Sequence, residues 1–560
     1  MNPDFTLDDF ALCGLTLNAH SFELARGVVK SCEVCGETVN PLADVLRCTR
    51  CHFLTHKDCA PYVFHPCLRK EDGTGPEVVP ADVPRFCPTP ANGEHILTNR
   101  KLSKTTLCYV CRSVILDPLF HGIGCKICGV FVHKACSPAL PKNCRPISFA
   151  APDDRHWFVP GNIKSNALTS KTCAVCRKTV GKSLTLSDYR CCFCHMNVHA
   201  ACLSYAPKTC HHGPLGRLVA TPAEVAVDAG KYVLRPVPGK LPAVFFVNRR
   251  SGNLLGEFIL KEIAKTFNIA QICDVFEGFD DVFTFVRAYD DFVAVVCGGD
   301  GTVGWVMTEL SRRNKHPRVF VIPLGTGNDL AISTGWSGGY NGESVVDILR
   351  AIPTAVVDTM DRWCVRAAPA DGGERTRFMN NYFSLGLDAA VALKFHEKRQ
   401  ANPEAFNSRA FNKIQYVLSA PSAVFDASPA LSGIVRLEVD GRDVALPPVQ
   451  AVIVMNLPTY GGGNRLFQRI TEEESFAGFR DLHYGDGLVE VVGISNVLHL
   501  GMVLSQSASP IKIAQGRVVR FTTTAEVPAQ VDGEPFVLAP STVTLSRYEQ
   551  VRVLTRHVFY

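Results

Sequence analysis

Three glycine-rich stretches hold the residue types that phosphate chemistry needs: "NRRSGNLLG" (248–256), "GGDGT" (298–302) and "PLGTGNDLA" (323–331). Glycine lets the backbone take positive φ and come close to a ligand, while N–H groups at a helix start attract anions. Asp300 stands inside the middle stretch, where it would repel a bare phosphate. A carboxylate there suits either of two tasks. It can hold a Mg2+ that bridges phosphates, or accept the proton of an incoming hydroxyl. A P-loop is excluded, because the Gly181-Lys-Ser sequence lacks the leading glycine and falls among cysteines. Gly299, Gly301 and Gly304 match a dinucleotide fingerprint literally, but the next strand does not end in an acid, Asp329 lying several residues into a loop.

A second chemistry is written in cysteine and histidine. Repeat one runs His20, Cys32, Cys35, Cys48, Cys51, His56, Cys59, Cys67. Repeat two runs His95, Cys108, Cys111, Cys125, Cys128, His133, Cys136, Cys144. Repeat three runs His156, Cys173, Cys176, Cys191, Cys194, His199, Cys202, Cys210. From the second cysteine pair onward the spacing is the same in all three. Six cysteines and two histidines per repeat make two tetrahedral Cys3His sites, the closed coordination of structural zinc. Thiolate ligation also fits a reducing compartment better than a disulfide framework does. Cys13, Cys87, Cys192, Cys273, Cys297 and Cys364 fall outside the pattern and read as buried free thiols.

These groups need several domains to hold them, and 560 residues supply enough chain. A hydrophobic fraction of 46% with 20% charged residues describes globular material. The net charge of +5 names no partner, although residues 1–216 carry 24 Lys and Arg against 17 Asp and Glu. The acidic start "MNPDFTLDDF" shows no signal peptide, and no apolar run approaches the ~18 residues of a membrane span. From about residue 242, short apolar runs such as "AVFFVN", "FVAVVC" and "RVFVIP" alternate with helical ones. That alternation predicts an α/β domain with a mostly parallel sheet, whose ligands lie beyond the carboxyl ends of the strands. After about residue 380, segments such as "VQAVIVMNL" and "GLVEVVGI" predict a mainly β domain.

The cysteine repeats resemble the C1 zinc fingers of the protein kinase C and diacylglycerol kinase families. The resemblance implies interleaved ligation, with His95, Cys125, Cys128 and Cys144 around one ion and Cys108, Cys111, His133 and Cys136 around the other. Diacylglycerol-responsive fingers carry a proline where Val29, Thr105 and Ser170 stand here, and a glutamine where Asp44, His121 and Ser187 stand. The second repeat keeps Gly122 and has the most apolar loop, "SVILDPLFHG", so lipid binding is open between it and a structural or protein-contacting role.

Residues 242–540 resemble the diacylglycerol kinase family in "GGDGT", "PLGTGNDLA", "DRW" (361–363), "FMNNYFSLGLDAAVALKF", "NLPTYGGGNRLF", "GDGLVEVVGI" and "AQVDGEP". The implied organisation is a tail (1–19), three small zinc-binding C1-like fingers (20–67, 95–144, 156–210), a linker at 68–94 and another at 211–240. A catalytic α/β domain (241–375), a mainly β accessory domain (376–548) and a C-terminal segment (549–560) follow. The implied activity is ATP-dependent phosphorylation of 1,2-diacylglycerol to phosphatidic acid in lipid signalling. It calls for ATP, Mg2+ and Zn2+, two zinc ions per finger and six per chain. Backbone and hydroxyl groups of Gly298, Gly299, Gly301 and Thr302 would cradle phosphate. Asn248, Ser251, Gly252, Gly325, Thr326, Gly327, Asn328 and Asp329 would border the nucleotide. Asp300, Asp361 and Glu534 would share one cleft as catalytic carboxylates, the last two as candidate general bases. Asp486, in the "GDGL" turn, resembles a structural Mg2+ site. The expected setting is the cytoplasm, with peripheral recruitment to a membrane surface, protein contacts through the fingers, and no nucleic acid.

Overall fold

The computed structural model describes residues 22–25, 45–49, 54–56, 95, 97–102, 106–115, 121–125, 127–140, 144–148, 156–163, 171–181, 186, 188–213, 215–325, 327–369, 372–401, 430–466, 470–476 and 478–556. Two compact units divide the chain. One comprises Met1–Lys240, Lys261–Gln271 and Phe283–Ala288; the other comprises Leu241–Leu260, Ile272–Val282 and Tyr289–Tyr560.

The first unit is built from small antiparallel sheets. Each repeat contributes one: Phe22–Ala25, Val45–Cys48 and Leu54–His56; Leu97–Lys101, His121–Cys125 and Phe131–Val132; Phe158–Pro160, Asp188–Cys191 and Asn197–His199. So little apolar area cannot hold a domain alone, and the repeats share cores. Cys192, Trp157 and Val159 of the third pack against Ile115, Val130 and Val132 of the second, as the short joint between those repeats predicts. Val45 and Leu54 of the first pack with Phe158 and Tyr189 of the third. The 211–240 stretch, expected as a linker, is itself folded. It forms a hairpin of Val225–Asp228 and Lys231–Leu234 and buries Leu215, Leu218 and Val219. Gln271 holds it in place, accepting from the Ala220 N–H at 2.7 Å and donating to the Leu218 carbonyl at 2.8 Å. The apolar content of "LGRLVA" is the reason: a free linker would leave it in water.

The second unit is organised by two sheets. In the larger, Ile272–Asp274, Ala243–Val247, Val293–Gly298 and Arg318–Pro323 lie side by side and parallel. The three glycine-rich stretches therefore leave the same edge of the sheet. Val293–Gly298 is buried at every residue, as a strand covered on both faces must be. The long strand Ser541–Thr555 pairs parallel with Arg318–Pro323 through Arg552 and Val553. It also pairs antiparallel with Val356–Pro369 along its whole length. Pairing thus runs unbroken across the expected boundary at 375/376, and residues 549–555, expected as a C-terminal segment, are sheet. The second sheet is wholly antiparallel, in the order Ile511–Gly516, Val489–Ile494, Ala451–Met455, Tyr382–Gly386, Val527–Val531, Glu534–Leu538.

One ion pair ties these layers together. Arg362 is fully buried; its guanidinium donates to Glu549, to Ser311 Oγ at 2.9 Å, to Thr308 Oγ1 at 3.0 Å and to Asn380 Oδ1 at 2.8 Å. Helix Asp300–Arg312 is thereby fixed to strands from both ends of the unit. Removing one member of a buried pair strands the other charge. Glu549→Ala should lower stability by about 3–5 kcal/mol, while Arg362→Met combined with Glu549→Leu should lose much less. Thermal unfolding of the two variants checks the order.

Candidate active site and metal centres

Four metal sites are assembled among the described residues. The ligand atoms of His95, Cys125, Cys128 and Cys144 lie within 4.8 Å of one another, as do those of Cys108, Cys111, His133 and Cys136. The third repeat repeats both groups, with His156, Cys191, Cys194 and Cys210, and with Cys173, Cys176, His199 and Cys202. A tetrahedron with Zn–S bonds near 2.3 Å has an S–S edge of about 3.8 Å. Cys125 and Cys144 sulfurs are 3.6 Å apart, and those of Cys191 and Cys210 are 3.9 Å apart. Thiols at such separations with histidine Nδ1 at 3.3 to 3.4 Å are a zinc donor set. The far ring nitrogens are fixed as well: His133 Nε2 lies 3.2 Å from the Val114 carbonyl and His199 Nε2 lies 3.3 Å from that of Thr179. Such contacts set the tautomer that frees Nδ1 for the metal. In the first repeat His20, Cys32, Cys35, Cys51, Cys59 and Cys67 lie outside the described residues, as does the His56 side chain; Cys48 is buried. Residues 116–120 of the apolar loop are also outside them, while Ile115 is packed into the finger's own core.

The glycine loops interlock. A methyl on Gly299 would lie 2.9 Å from Gly325 Cα, and one on Gly325 would lie 2.6 Å from Gly299 Cα. Gly252, at φ +62°, presses on the Leu324 carbonyl. Asn248 Nδ2 donates to Thr302 Oγ1 at 2.9 Å, joining the first loop to the second. Asn328, with φ 55°, turns the third loop and bonds both Gly325 and Gly338. Ser251 opens the helix Ser251–Ile263. Gly299 is the N-cap of Asp300–Arg312 and, as a glycine, makes no side-chain cap bond there. Thr302 N–H is used by the Gly299 carbonyl, at 2.9 Å. Thr326 lies outside the described residues.

Carboxylates surround this junction. Asp300 Oδ2 accepts the Asp329 N–H at 2.9 Å and Oδ1 accepts that of Leu330 at 3.5 Å. Burial first, and the neighbouring Asp329 charge second, push the Asp300 carboxyl up to about 7. Asp329 accepts the N–H groups of Gly462 and Gly463 at 2.9 to 3.0 Å, and Gly327 sits between the two acids. Glu534 is exposed, its Oε1 3.9 Å from where a methyl on Gly301 would be. Asp361 is not brought to this group. It is fully buried, its Oδ2 accepting from Gly487 N–H at 2.6 Å and its Oδ1 3.6 Å from Arg547 Nη1. Strand alternation explains the difference, because neighbouring Arg362 points at helix Asp300–Arg312 and Asp361 must therefore face away. Asp486, in the same turn, closes an Asx bond to the Leu488 N–H at 2.9 Å, and burial raises its carboxyl.

Sequence reasoning missed Asp532 and its partners. Its carboxylate takes the N–H groups of Asn380, Asn381 and Tyr382 at 2.7 to 3.0 Å, besides Asn380 Nδ2 at 3.1 Å. Asn456 then bonds the carbonyls of Asn380 and Asp361 and the Trp363 indole. The signal was present as paired polar residues in "MNNY" and "VMNL" between apolar strands, since buried amides must be satisfied.

The family models for the diacylglycerol kinase catalytic domain and the diacylglycerol kinase accessory domain match residues 242–361 and 378–535. The phorbol ester/diacylglycerol binding (C1) domain matches residues 95–147. The chain is 27% identical over 520 residues to "Probable diacylglycerol kinase 3" of Caenorhabditis elegans, covering 83% of this chain and 64% of that one. It is 36% identical over 326 residues to diacylglycerol kinase theta of Mus musculus, covering 55% of this chain and 34% of that one. It thus spans less than two thirds of the length of these relatives. A solved diacylglycerol kinase from Bacillus anthracis aligns at 17% identity and a TM-score of 0.37, covering 56% of this chain and 97% of that one.

Two outcomes follow. Cys136→Ser should reduce bound zinc by about one ion per chain by atomic absorption, if each cluster closes on a single metal. Asp300, near 3.8 when unfolded and about 7 when folded, keeps its proton longer in the folded chain. Stability from this group therefore falls as pH rises from about 4 to about 7 and stays lower above that. In buffer free of divalent ions, Asp300→Asn should gain melting temperature relative to the unsubstituted chain between pH 5 and pH 8, values set either side of most of that window. An unchanged difference across the window would refute the assignment.

Proposed function

We propose that this chain, which belongs to the diacylglycerol kinase family by the catalytic and accessory domains it carries, transfers the γ-phosphoryl of ATP to the free hydroxyl of 1,2-diacylglycerol. The observation that carries the reading is the junction of the three glycine loops, with Asp300 and Glu534 at one open helix N-terminus. Phosphoryl transfer asks mainly for positioning and charge stabilisation. The Gly301 N–H and the Thr302 hydroxyl, held by Asn248, receive phosphate. Gly252 and Gly325 let the three loops close against one another, and the nucleotide borders the junction they form. Asp300 fits a Mg2+ site, being a hard oxygen donor beside a second acid. A Mg2+ held there by Asp300 would supply neutralisation of the phosphate charge. Until it binds, burial and Asp329 favour the protonated acid, so metal loading and loss of that proton are linked.

Glu534 takes the proton of the acceptor hydroxyl in this scheme. It is solvent-accessible and borders Gly301, whereas Asp361 is enclosed by the 484–487 turn. Asp361 then acts as a strut, and the 486–488 turn, where Asp486 stands near Asp361 and Glu490, is the place for a second Mg2+. The four described Cys/His clusters support two zinc ions in each of the second and third fingers; the same pattern in the first makes six per chain. No helix among the described residues is long and apolar enough to cross a membrane. In this reading the substrate is met by peripheral attachment at the cytoplasmic face of a membrane, and the match to a phorbol ester/diacylglycerol binding domain supports that finger as the recruiting element.

Purified protein with labelled ATP and Mg2+, offered diacylglycerol, sphingosine and ceramide in mixed micelles, decides the substrate. Transfer to diacylglycerol alone is expected; preference for a sphingoid base would overturn the reading. Asp300→Ala should abolish transfer with zinc content unchanged, and Glu534→Gln should cut kcat by about 10²–10⁴.

A further inference from the structure

Beside the phosphate loops the molecule leaves large aromatic rings in water. Phe276 is 48% exposed and Trp305 39% exposed. They come from different loops: Phe276 follows strand Ile272–Asp274, and Trp305 lies on the helix that follows Val293–Gly298, one turn beyond Gly301. The two rings meet edge to face at 5.8 Å and 63°. Buried Phe279 steadies Trp305 from beneath, at 5.4 Å and 74°. Arg250, from the first loop, lays its guanidinium 4.4 Å above the Phe276 ring centre.

Arg249 and Arg250 are adjacent but differently engaged. Arg249 pairs with Glu257 at 2.5 Å and lies 3.4 Å from Asp274 and 3.5 Å from Glu277. Arg250 is exposed and has no acidic partner among the described residues. A flat cation backed by an aromatic ring and open on its other face matches a flat heteroaromatic ligand. The shelf is also wired to the phosphate loop through a single side chain. Arg250 N–H donates to Asn248 Oδ1 at 3.0 Å, and Asn248 Nδ2 donates to Thr302 Oγ1 at 2.9 Å. One amide thus links a stacking surface to an anion-receiving helix end, the two halves that one nucleotide requires.

We infer that Arg250, Phe276 and Trp305 form the shelf on which the purine base of the nucleotide stacks, with Arg250 between the base and Phe276. The inference rests on the kinase reading above, since that reading supplies the nucleotide. A cation meant only for phosphate has no need of an exposed aromatic beneath it, which separates the two roles.

Trp305 provides a readout independent of turnover. The full chain, in Mg2+, is titrated with ATP and separately with inorganic triphosphate while tryptophan emission is followed. Trp305→Phe removes the reporter from among the four tryptophans. ATP should change emission in a Trp305-dependent way and triphosphate should not. Phe276→Ala should weaken ATP binding about tenfold while leaving triphosphate binding as it was, and Phe276→Tyr should restore it. If Phe276→Ala weakens both ligands equally, or neither, the shelf is wrong although the kinase reading stands. If the unsubstituted chain binds no ATP, both fall.

Discussion

Gly299 and Gly325 meet so closely that a methyl on either would strike the other's α-carbon, and the geometry of the loop junction depends on it. No side chain fits between these two α-carbons. The contact allows the Asp300 carboxylate to reach across and accept the Asp329 and Leu330 N–H groups. Asp329 in turn is held by the amides of Gly462 and Gly463, and its own carbonyl accepts from Thr459 Oγ1 at 3.0 Å. Two parallel-strand loops and a loop of the antiparallel sheet are therefore locked in series by backbone amides. The amide donors need no rotamer of their own fixed, so the ordering cost falls mainly on the acid side chains.

The same construction explains why acids tolerate burial here. Asp329 and Asp532 each accept several N–H bonds, and Asp361 accepts one from Gly487. A carboxylate in a low-dielectric setting is costly unless satisfied in this way. Asp300 accepts two, and burial with the neighbouring Asp329 charge still pushes its carboxyl up to about 7.

Much of this was legible in the sequence, because it lies in local spacing. The metal ligands could be read from repeat alone, and the four described clusters group them in the interleaved manner that the family resemblance implied. The glycine loops could be read from strand-then-glycine patterns, although their mutual contact could not. Asp361 shows the limit. Its type and motif suggested a shared cleft, but its direction depends on which face of a strand it occupies, and that is set by Arg362 and Glu549 from far along the chain. The folded 211–234 stretch was hidden for a similar reason: its partner, Gln271, belongs to a different segment. Long-range pairing was the missing information in each case.

The strand Ser541–Thr555 closes the parallel sheet beside Arg318–Pro323, more than two hundred residues earlier in the chain. During synthesis the glycine loops thus emerge well before the strand that flanks them. Until it arrives, Arg318–Pro323 presents an open sheet edge, and the Asp300–Arg312 helix lacks its Glu549 anchor. Non-local pairing of this kind folds slowly and leaves strand edges exposed to wrong partners in the interval. The sheet that carries the glycine loops is therefore completed only after residues 541–555 have been translated.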